Sequence, residues 1–283
     1  MPDDILVAEM KRFAVQIRME IVKMIARLPS GHLGGALSIA DVLAVLYSGL
    51  LRHDPTNPNW EDRDWLVLSK GHSGPALYAT LALRGFFPME QLETLNTPGT
   101  NLPSHCDRNR TPGVDMTTGS LGQGASTAAG LAIGLKMDGK DSKVFVIFGD
   151  GEIQEGQIWE MVMFAASRKL DNLIAFVDYN KLQIDGRTDT DEICCVGDIA
   201  AKFREFGWYA QFVDGHDVCA VYNAVVLAKE HAGSPSVIVL DTVKGKGWSR
   251  IENQVGSHSR GLTPEELEEA IEQLTINVRG FER

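Results

Sequence analysis

The sequence lacks long hydrophobic runs. None of its 283 residues lies in an apolar stretch approaching the roughly 18 residues that cross a bilayer. The first residues also differ from a secretory signal, because acidic Asp3 and Asp4 precede an amphipathic stretch. We therefore expect a cytoplasmic protein with no membrane partner.

Cysteine is scarce as well. The four cysteines are Cys106, Cys194, Cys195 and Cys219, and they form no Cys-x-x-Cys pair. The two adjacent residues are poorly placed to bridge one another. We expect reduced thiols with mainly structural roles.

Positive charge is in deficit, since 27 lysines and arginines face 38 aspartates and glutamates, for a net charge of −11. Such a charge repels nucleic acid and anionic lipid, although a local cationic or metal site could still hold an anionic substrate. Nucleic acid is therefore excluded as an expected partner.

The remaining composition is ordinary for a globular protein, with 44% hydrophobic and 23% charged residues. A chain of this length can bury about three quarters of its unfolded surface. The sequence contains no internal repeat, low-complexity tract or interdomain linker. We expect residues 1–283 to form a single domain.

Apolar stretches alternate with helical patterns through most of the chain, which favours βαβ units. Strands are predicted at residues 65–68, 144–148, 173–177, 209–213 and 237–240. Helices are predicted at residues 6–28, 41–51, 75–83, 124–137, 157–167 and 220–228, with a last helix opened by Thr263 as N-cap. The predicted fold is α/β, a doubly wound parallel sheet with helices on both faces.

Residues 88–120 form the exception, because Gly, Pro, Thr and Asn accumulate there and the periodicity weakens. We expect a long irregular segment, a kind of segment that often carries function.

Two predicted strand ends carry oxygen ligands for a hard cation. Asp150 follows one strand in Gly149-Asp150-Gly151, and Asn180 follows the next strand. Ligands of parallel sheets bind beyond the carboxyl ends of strands. A Mg²⁺ ion with oxygen ligands and a bound diphosphate fits there. Gly-Asp-Gly alone is equally typical of a turn or a helix cap.

Together these residues resemble the thiamine-diphosphate fingerprint, and further motifs make the chain similar to transketolases specifically. The motifs follow the family's order across nearly the whole chain. They are Ser30-Gly31-His32, Leu68-Ser69-Lys70-Gly71-His72, Thr117-Thr118-Gly119-Ser120-Leu121-Gly122-Gln123-Gly124, the run from Gly151 to Glu160, and Lys244-Gly245-Lys246-Gly247.

The resemblance implies a thiamine diphosphate cofactor and a Mg²⁺ ion, for which Ca²⁺ or Mn²⁺ could substitute. It assigns the metal to Asp150, Asn180 and the main-chain carbonyl of Leu182. It assigns cofactor binding to His72, Gly119, Ser120, Leu121, Gly122, Gly149, Asp150, Gly151, Glu152, Asn180 and Lys244.

The resemblance also assigns active-site roles to four of the seven histidines, His32, His72, His105 and His258. Cys106 stands where the family usually has proline, and Ser257-His258-Ser259-Arg260 stands where it generally has Trp-His-Gly-Lys. Imidazoles suit a sugar phosphate, which offers hydroxyls to bind and protons to move.

The other three histidines, His53, His216 and His231, match no motif, and we expect structural roles for them. Glu155 and Glu160 match the family near its subunit interface, although acids at a helix start are also favoured by the helix dipole.

The resemblance covers only the first part of a transketolase. The pyrimidine-binding and C-terminal domains, and the glutamate that activates the cofactor, lie beyond the matched region. We therefore expect one subunit of a split transketolase, in an α2β2 assembly with a C-terminal subunit. It would transfer a two-carbon ketol unit from a ketose phosphate to an aldose phosphate, as in the pentose phosphate pathway.

Other interpretations stay open at this point. The alpha chain of a 2-oxoacid dehydrogenase also carries Gly-Asp-Gly but does not explain Lys70-Gly71-His72. A deoxyxylulose-phosphate synthase is usually one longer chain. An unusual sugar acceptor and a non-catalytic remnant of the fold are two further alternatives.

Overall fold

A five-stranded parallel sheet forms the centre of the computed structural model, which describes residues 1–280 and the side chains of residues 1–276. Its strands are β2 (Trp65–Leu68), β3 (Val144–Gly149), β4 (Leu173–Tyr179), β5 (Tyr209–Asp214) and β6 (Ser236–Asp241). Their spatial order is β2-β3-β4-β6-β5, so the chain runs from β4 to the sheet edge and returns to β6. Two short strands, β1 (Gly31–His32) and β7 (Ser259–Arg260), pair antiparallel outside this sheet.

Nine α-helices surround the strands in the described part of the chain. They are α1 (Asp4–Ile25), α2 (Gly34–Leu37), α3 (Ala40–Val45), α4 (Gly74–Leu83), α5 (Gln123–Met137), α6 (Gly156–Ser167), α7 (Ile199–Glu205), α8 (Val218–Glu230) and α9 (Pro264–Gly280). None of the helices within residues 1–280 is both long and apolar enough to span a membrane.

In β2, β3, β4 and β6, apolar side chains alternate between the two faces of the strand, and both faces are buried. The residues of β5, at one edge of the sheet, are half-buried or exposed. In β3, Phe145 and Ile147 point into a core shared with α1, α3, α4 and α8. Val144, Val146 and Phe148 point into the opposite core, against α5, α6 and α7. Helices on both faces explain why these strands read as continuous hydrophobic runs. The predicted α/β fold with helices on both faces of a parallel sheet is confirmed.

All five predicted strands are present, and the helix predictions differ from the structure mainly at their ends. α1 ends at Ile25, and residues 26–28 continue as a turn. The helix predicted over 41–51 is α3 followed by a π-helical turn, Leu46–Leu50, which Gly49 interrupts at a φ of 121°. α2 and α7 have only four and seven residues, and their short patterns gave no prediction.

The start of α9 is a capping box, as Thr263 predicts. The Glu266 N–H donates to Thr263 Oγ1 at 3.2 Å, and the Thr263 N–H donates to Glu266 Oε2 at 3.1 Å. The segment 88–120 is irregular apart from a 3₁₀ helix at Met89–Thr94.

One glycine sets the position of α5 against the sheet. A Cβ on Gly124 would lie 2.7 Å from the Cα of Ser69, just beyond β2. Only glycine allows this approach. The first turn of α5 is therefore seated at the carboxyl end of the sheet, beside the strand ends that carry the site.

Candidate active site

The carboxyl ends of β2, β3, β4 and β6 open into a cavity of about 540 Å³. Most residues singled out in the sequence line it, although they come from segments far apart in the chain. These lining residues are His32, His72, His105, Gly119, Leu121, Gly149, Asp150, Gly151, Glu152, Glu155, Asn180, Leu182, Lys244 and His258. Of the residues assigned to the site by motif, Ser120, Gly122 and Glu160 do not line it.

Four imidazoles cluster on one side of the cavity, with His32 at the centre. The ring centre of His32 lies 5.3 Å from that of His72, 5.4 Å from that of His105 and 5.5 Å from that of His258. The rings of His72 and His258 are 5.1 Å apart. The four histidines that match family motifs are therefore those that converge.

Three different local structures bring these rings together. Pairing of β1 with β7 places His32 opposite Ser259 and so beside His258. His72 lies in the 3₁₀ turn that follows β2. His105 comes from the irregular segment and packs on Gly119, where a Cβ would come within 3.0 Å of the ring and φ is +146°.

Burial keeps this cluster neutral. It lowers the pKa of His32, where His105 and Lys244 add to the effect, and that of His105. Burial, followed by the Lys70 charge, lowers the pKa of His72 well below the ordinary value. Burial and the Lys244 ammonium lower the pKa of His258 to about 3. At neutral pH these rings are uncharged and can accept as well as donate hydrogen bonds.

Asp150, Asn180 and Leu182 meet on another side of the cavity, and each is less than 5% exposed. The Asp150 carboxylate accepts from the N–H groups of Gly151 (2.8 Å) and Lys181 (2.6 Å). Burial, with the Asp178 charge, raises the pKa of Asp150 to about 6. Asn180 Oδ1 accepts from the Leu182 N–H at 3.1 Å.

Lys244 brings a cation to the same place. Its Nζ donates to the Leu182 carbonyl at 3.0 Å and lies 3.1 Å from His258 Nδ1. Burial lowers the pKa of this amine to about 8. Lys244 thus lies between the histidine cluster and the Asp150 carboxylate.

Glu152 has a role that sequence reasoning missed. Its Oε1 accepts from Ser69 Oγ at 2.5 Å and from the Gly122 N–H at 3.0 Å, and its Oε2 accepts from the Gly149 N–H at 3.1 Å. Burial raises the pKa of this carboxyl. Glu152 therefore ties the end of β2, the end of β3 and the turn before α5 together beneath the cavity.

A buried ion pair was also missed. Lys70 Nζ donates to Asp178 Oδ2 at 2.6 Å and to the Gly35 carbonyl at 2.8 Å. Burial alone would raise the pKa of Asp178, but the Lys70 charge and hydrogen bonds from Thr242 and Ser38 outweigh it, so the pKa is lowered. A Lys in a motif and an Asp directly after a predicted strand were the only signals.

The remaining histidines lie away from the cavity, in agreement with the structural roles expected for them. His53 stacks on Phe86, and His231 stacks on Tyr209. His216 Nδ1 lies 2.7 Å from Asp41 Oδ2. All four cysteines are free; Cys106 is buried, whereas Cys194 and Cys195 are exposed.

Glu155 and Glu160 lie at the start of α6 and are exposed. Glu155 lines the cavity, whereas Glu160 does not. Beside them on α6, Met163 is 51% and Phe164 40% exposed.

Fold and cavity together define a cofactor-binding α/β domain whose ligand site lies at the ends of parallel strands, where the sheet order reverses. Residues 9–282 match the family model described as transketolase, thiamine diphosphate binding domain. The chain belongs to the transketolase family, as its N-terminal domain.

Several relatives are themselves subunits of similar length. The chain is 54% identical over 258 residues to the 6-deoxy-6-sulfo-D-fructose transketolase subunit SqwG of Clostridium sp. (strain MSTE9), covering 91% of this chain and 93% of that protein. It is 38% identical to one of the subunits of the apulose-4-phosphate transketolase of Actinobacillus succinogenes, with 94% of this chain and 96% of that protein covered.

Longer transketolases match over part of their length. Transketolase 1 of Escherichia coli is 34% identical across 96% of this chain and 42% of its own length. The solved transketolase of Campylobacter jejuni has a TM-score of 0.86 at 30% identity, covering 99% of this chain and 46% of that one. That of Pichia stipitis, in complex with sedoheptulose 7-phosphate, has a TM-score of 0.87 at 28% identity, covering 97% and 44%. The chain spans less than half of these proteins.

Proposed function

We propose that the chain is the thiamine-diphosphate- and Mg²⁺-binding subunit of a cytoplasmic two-subunit transketolase. With a C-terminal subunit it would transfer a two-carbon ketol unit from a ketose phosphate to an aldose phosphate. One observation carries this proposal: the four neutral imidazoles and the Asp150, Asn180 and Leu182 oxygens face the same cavity. The proposal treats residues 1–283 as one domain.

The oxygen donors fit a divalent cation. Within residues 1–280, no three His, Cys, Asp or Glu side chains group as metal ligands. A metal here would therefore rest on the Asp150 carboxylate, the Asn180 carboxamide and the Leu182 carbonyl. In the described part of the chain Asp150 forms no ion pair within 4 Å. A hard cation with oxygen preference would compensate this buried charge.

The rest of the cavity floor fits a diphosphate. Lys244 supplies a cation, and His72 a hydrogen-bond donor, next to the proposed metal ligands. Gly119 and Gly151 present main chain without side chains, as close approach of a phosphate requires. Ser120, Leu121 and Gly122 belong to the turn before α5, whose N-terminal end favours an anion.

Thiamine diphosphate, when bound, supplies a nucleophilic thiazolium carbon and an electron sink. The chain's own share is to bind and orient the sugar. Neutral His32, His105 and His258 can accept hydrogen bonds from sugar hydroxyls and donate hydrogen bonds to them. Of these three, His32 and His105 can also move protons there, whereas His258, with its pKa lowered to about 3, stays neutral.

Exposed apolar side chains support a partner subunit. Leu121 at the cavity rim, Met137 on α5 and Met163 and Phe164 on α6 are between 37% and 81% exposed. An obligate interface that covers such a surface typically buries more than about 2,000 Å². The subunit-sized relatives support the same arrangement. We propose an α2β2 assembly in which Glu155 and Glu160 lie at the interface.

A second candidate donor has a specific observation in its favour. The relative that is 54% identical carries the name of a 6-deoxy-6-sulfo-D-fructose transketolase subunit. The donor of this chain could therefore be a ketose that carries a sulfonate in place of the terminal phosphate. Both donors present the same ketol end to the histidine cluster and differ at the far, anionic end.

The test is a ketol-transfer assay on the complex of this chain with its C-terminal partner, at saturating Mg²⁺ and thiamine diphosphate. Fructose 6-phosphate and 6-deoxy-6-sulfo-D-fructose are offered separately as donors to one aldose phosphate. The donor with the higher kcat/KM identifies the substrate class. No transfer from either donor, with cofactor bound, would contradict the proposed function.

A further inference from the structure

The loop that carries Lys244 is held by three hydrogen bonds from its own main chain. The Thr242 N–H donates to the Tyr179 carbonyl at 3.1 Å, and the Gly245 N–H donates to the Gly34 carbonyl at 3.0 Å. The Val243 N–H, immediately before Lys244, donates to His216 Nε2 at 2.9 Å. The loop is thus held next to Lys244 by a side chain that lies outside the cavity.

His216 is itself fixed in one orientation. The ring Nδ1 of His216 lies 2.7 Å from Asp41 Oδ2. The main-chain N–H of His216 donates to Asp214 Oδ1 at 2.8 Å. A carboxylate only accepts, so Nδ1 carries the proton. Nε2 is then the acceptor that the Val243 N–H requires. A single neutral tautomer satisfies both contacts.

Asp41, which contacts His216, lies in α3 and is itself held in place by Arg18. Asp41 is 5% exposed, and its carboxylate accepts from Nη1 and Nη2 of Arg18. Arg18 also donates through Nε to the Leu37 carbonyl at 3.2 Å. Burial would raise the pKa of Asp41, but the Arg18 charge and the His216 hydrogen bond outweigh it and lower the pKa. The Asp41 carboxylate, which holds His216, therefore stays ionised.

The β5–α8 turn lies against the start of the Lys244 loop. A Cβ on Gly215 would come within 2.4 Å of Thr242 Cγ2, and the Gly215 N–H donates to the Asp241 carbonyl at 2.8 Å. His216 therefore cannot move away from Val243 without breaking main-chain packing on both sides. The contact is built into the fold.

We propose that His216 is a positioning residue: held by Asp41, it fixes the Val243 N–H and thereby places the Lys244 ammonium in the cavity. The inference rests on the proposed function, because it takes Lys244 as a ligand of the cofactor diphosphate. His216 itself touches neither cofactor nor substrate. Loss of its Nε2 acceptor leaves the Val243 N–H without its partner, and the Lys244 loop relaxes.

Two carboxamide variants separate this role from simple packing. In His216→Gln the amide oxygen reaches about as far as Nε2 and can accept from Val243. In His216→Asn the amide reaches only as far as Nδ1, so it keeps the Asp41 contact and loses the Val243 contact. Both variants remove the ring, and both leave Asp41 paired with Arg18.

The experiment titrates the complex of the full chain and its C-terminal subunit with thiamine diphosphate at saturating Mg²⁺ by calorimetry, and measures hydrogen exchange of residues 242–247 by mass spectrometry. His216→Gln is expected to bind within about twofold of the parent. His216→Asn is expected to bind about fivefold or more weakly and to exchange faster in this loop, since an unsatisfied buried donor costs enough for such a change. The free energy of unfolding should not follow the order of affinities: His216→Asn should be at least as stable as His216→Gln, because it keeps the Asp41 contact.

Equal affinity of His216→Asn and the parent for thiamine diphosphate would overturn the proposal. Equal losses of affinity in His216→Gln and His216→Asn would also overturn it, because they would show that packing of the imidazole ring is what matters. A Val243 amide that exchanges in the parent as fast as an unprotected peptide would overturn it even if neither variant folded. A parent complex, formed with the C-terminal subunit, that binds no thiamine diphosphate would instead contradict the proposed function, and the exchange data would still decide whether His216 holds the loop.

Discussion

Lys70 and Asp178 form an ion pair of 2.6 Å across the end of β3, although 108 residues separate them in the sequence. Lys70 follows β2, Asp178 lies in β4, and β3 pairs with both strands. The two side chains are almost fully buried, with 2% and 0% exposed. They therefore join the strand ends on either side of Asp150.

Breaking this pair should cost stability. Lys70→Met leaves the Asp178 carboxylate buried without its cation, and such a loss typically costs about 3–5 kcal/mol. The double variant Lys70→Met, Asp178→Asn removes both charges and should lose less than the sum of the single variants. Urea unfolding of the three variants measures this coupling. Strictly additive losses would show that the two residues do not interact.

Asp150 should decide whether Mg²⁺-dependent cofactor binding occurs. Asp150→Asn keeps the shape of the side chain and removes the charge proposed to hold the metal. We expect affinity for thiamine diphosphate to fall more than about 100-fold, since even outer-shell partners of metal ligands contribute about 10- to 100-fold. Calorimetry on the complex with the partner subunit checks this.

Asp185→Asn is the matched control, because Asp185 is exposed at the rim of the same cavity. It makes the same charge change without removing a proposed ligand, so its affinity should stay near that of the parent. If both variants bind equally well, Asp150 is not a metal ligand.

The histidine cluster should affect turnover more than stability. His32→Ala is expected to lower kcat by roughly 10²- to 10⁴-fold, the range for groups that move protons. His72→Ala is expected to lower kcat as well, because it removes a hydrogen-bond donor proposed to orient the cofactor diphosphate. His231→Ala, which loses a stack on Tyr209 outside the cavity, should leave kcat unchanged. Kinetics and thermal melts of the three variants are compared. A variant of His32 or His72 that melts far below the parent yet keeps its specific activity would indicate a structural role.

Stability should fall in acid partly through His258. The pKa of His258 is lowered from 6.5 to about 3 by burial and then by the Lys244 charge. Between these two values the unfolded chain binds a proton that the folded chain does not, so this contribution to stability is present above pH 6.5 and decreases as the pH falls.

The matched variant is His258→Gln, which does not titrate in this range. Urea unfolding at several pH values between 6.5 and 4 should show that the free energy of unfolding of the parent depends on pH more steeply, by up to one proton. Equal slopes for the parent and His258→Gln would contradict the lowered pKa.

The sequence predicts the strands well because buried parallel strands are continuous runs of Val, Ile and Phe, as in Val144–Gly149. It predicts which histidines converge because His32 and His72 lie in motifs. It does not predict α7, whose seven residues carry too little periodicity. Nor does it predict that α3 ends at Val45 and that Ser48 and Gly49 are non-helical in the turn that follows.

Long-range polar contacts were beyond sequence reasoning. Glu152 was assigned to the cofactor, but the partner of its Oε1, Ser69, is 83 residues away, and only the fold shows that this carboxylate ties three segments together. The sequence predicts only a structural role for His216, and its partner Asp41 is 175 residues away. Neither pairing leaves a local pattern in the sequence.

The most direct test of the account is reconstitution. Purified chain is mixed in varied ratios with the C-terminal subunit of the transketolase, and ketol transfer is followed at saturating thiamine diphosphate and Mg²⁺. Negligible turnover by this chain alone is expected, with activity rising to a plateau at one partner per chain and with cofactor binding tightening in parallel. Robust turnover by residues 1–283 alone, with contaminating transketolase excluded, would contradict the split-enzyme account.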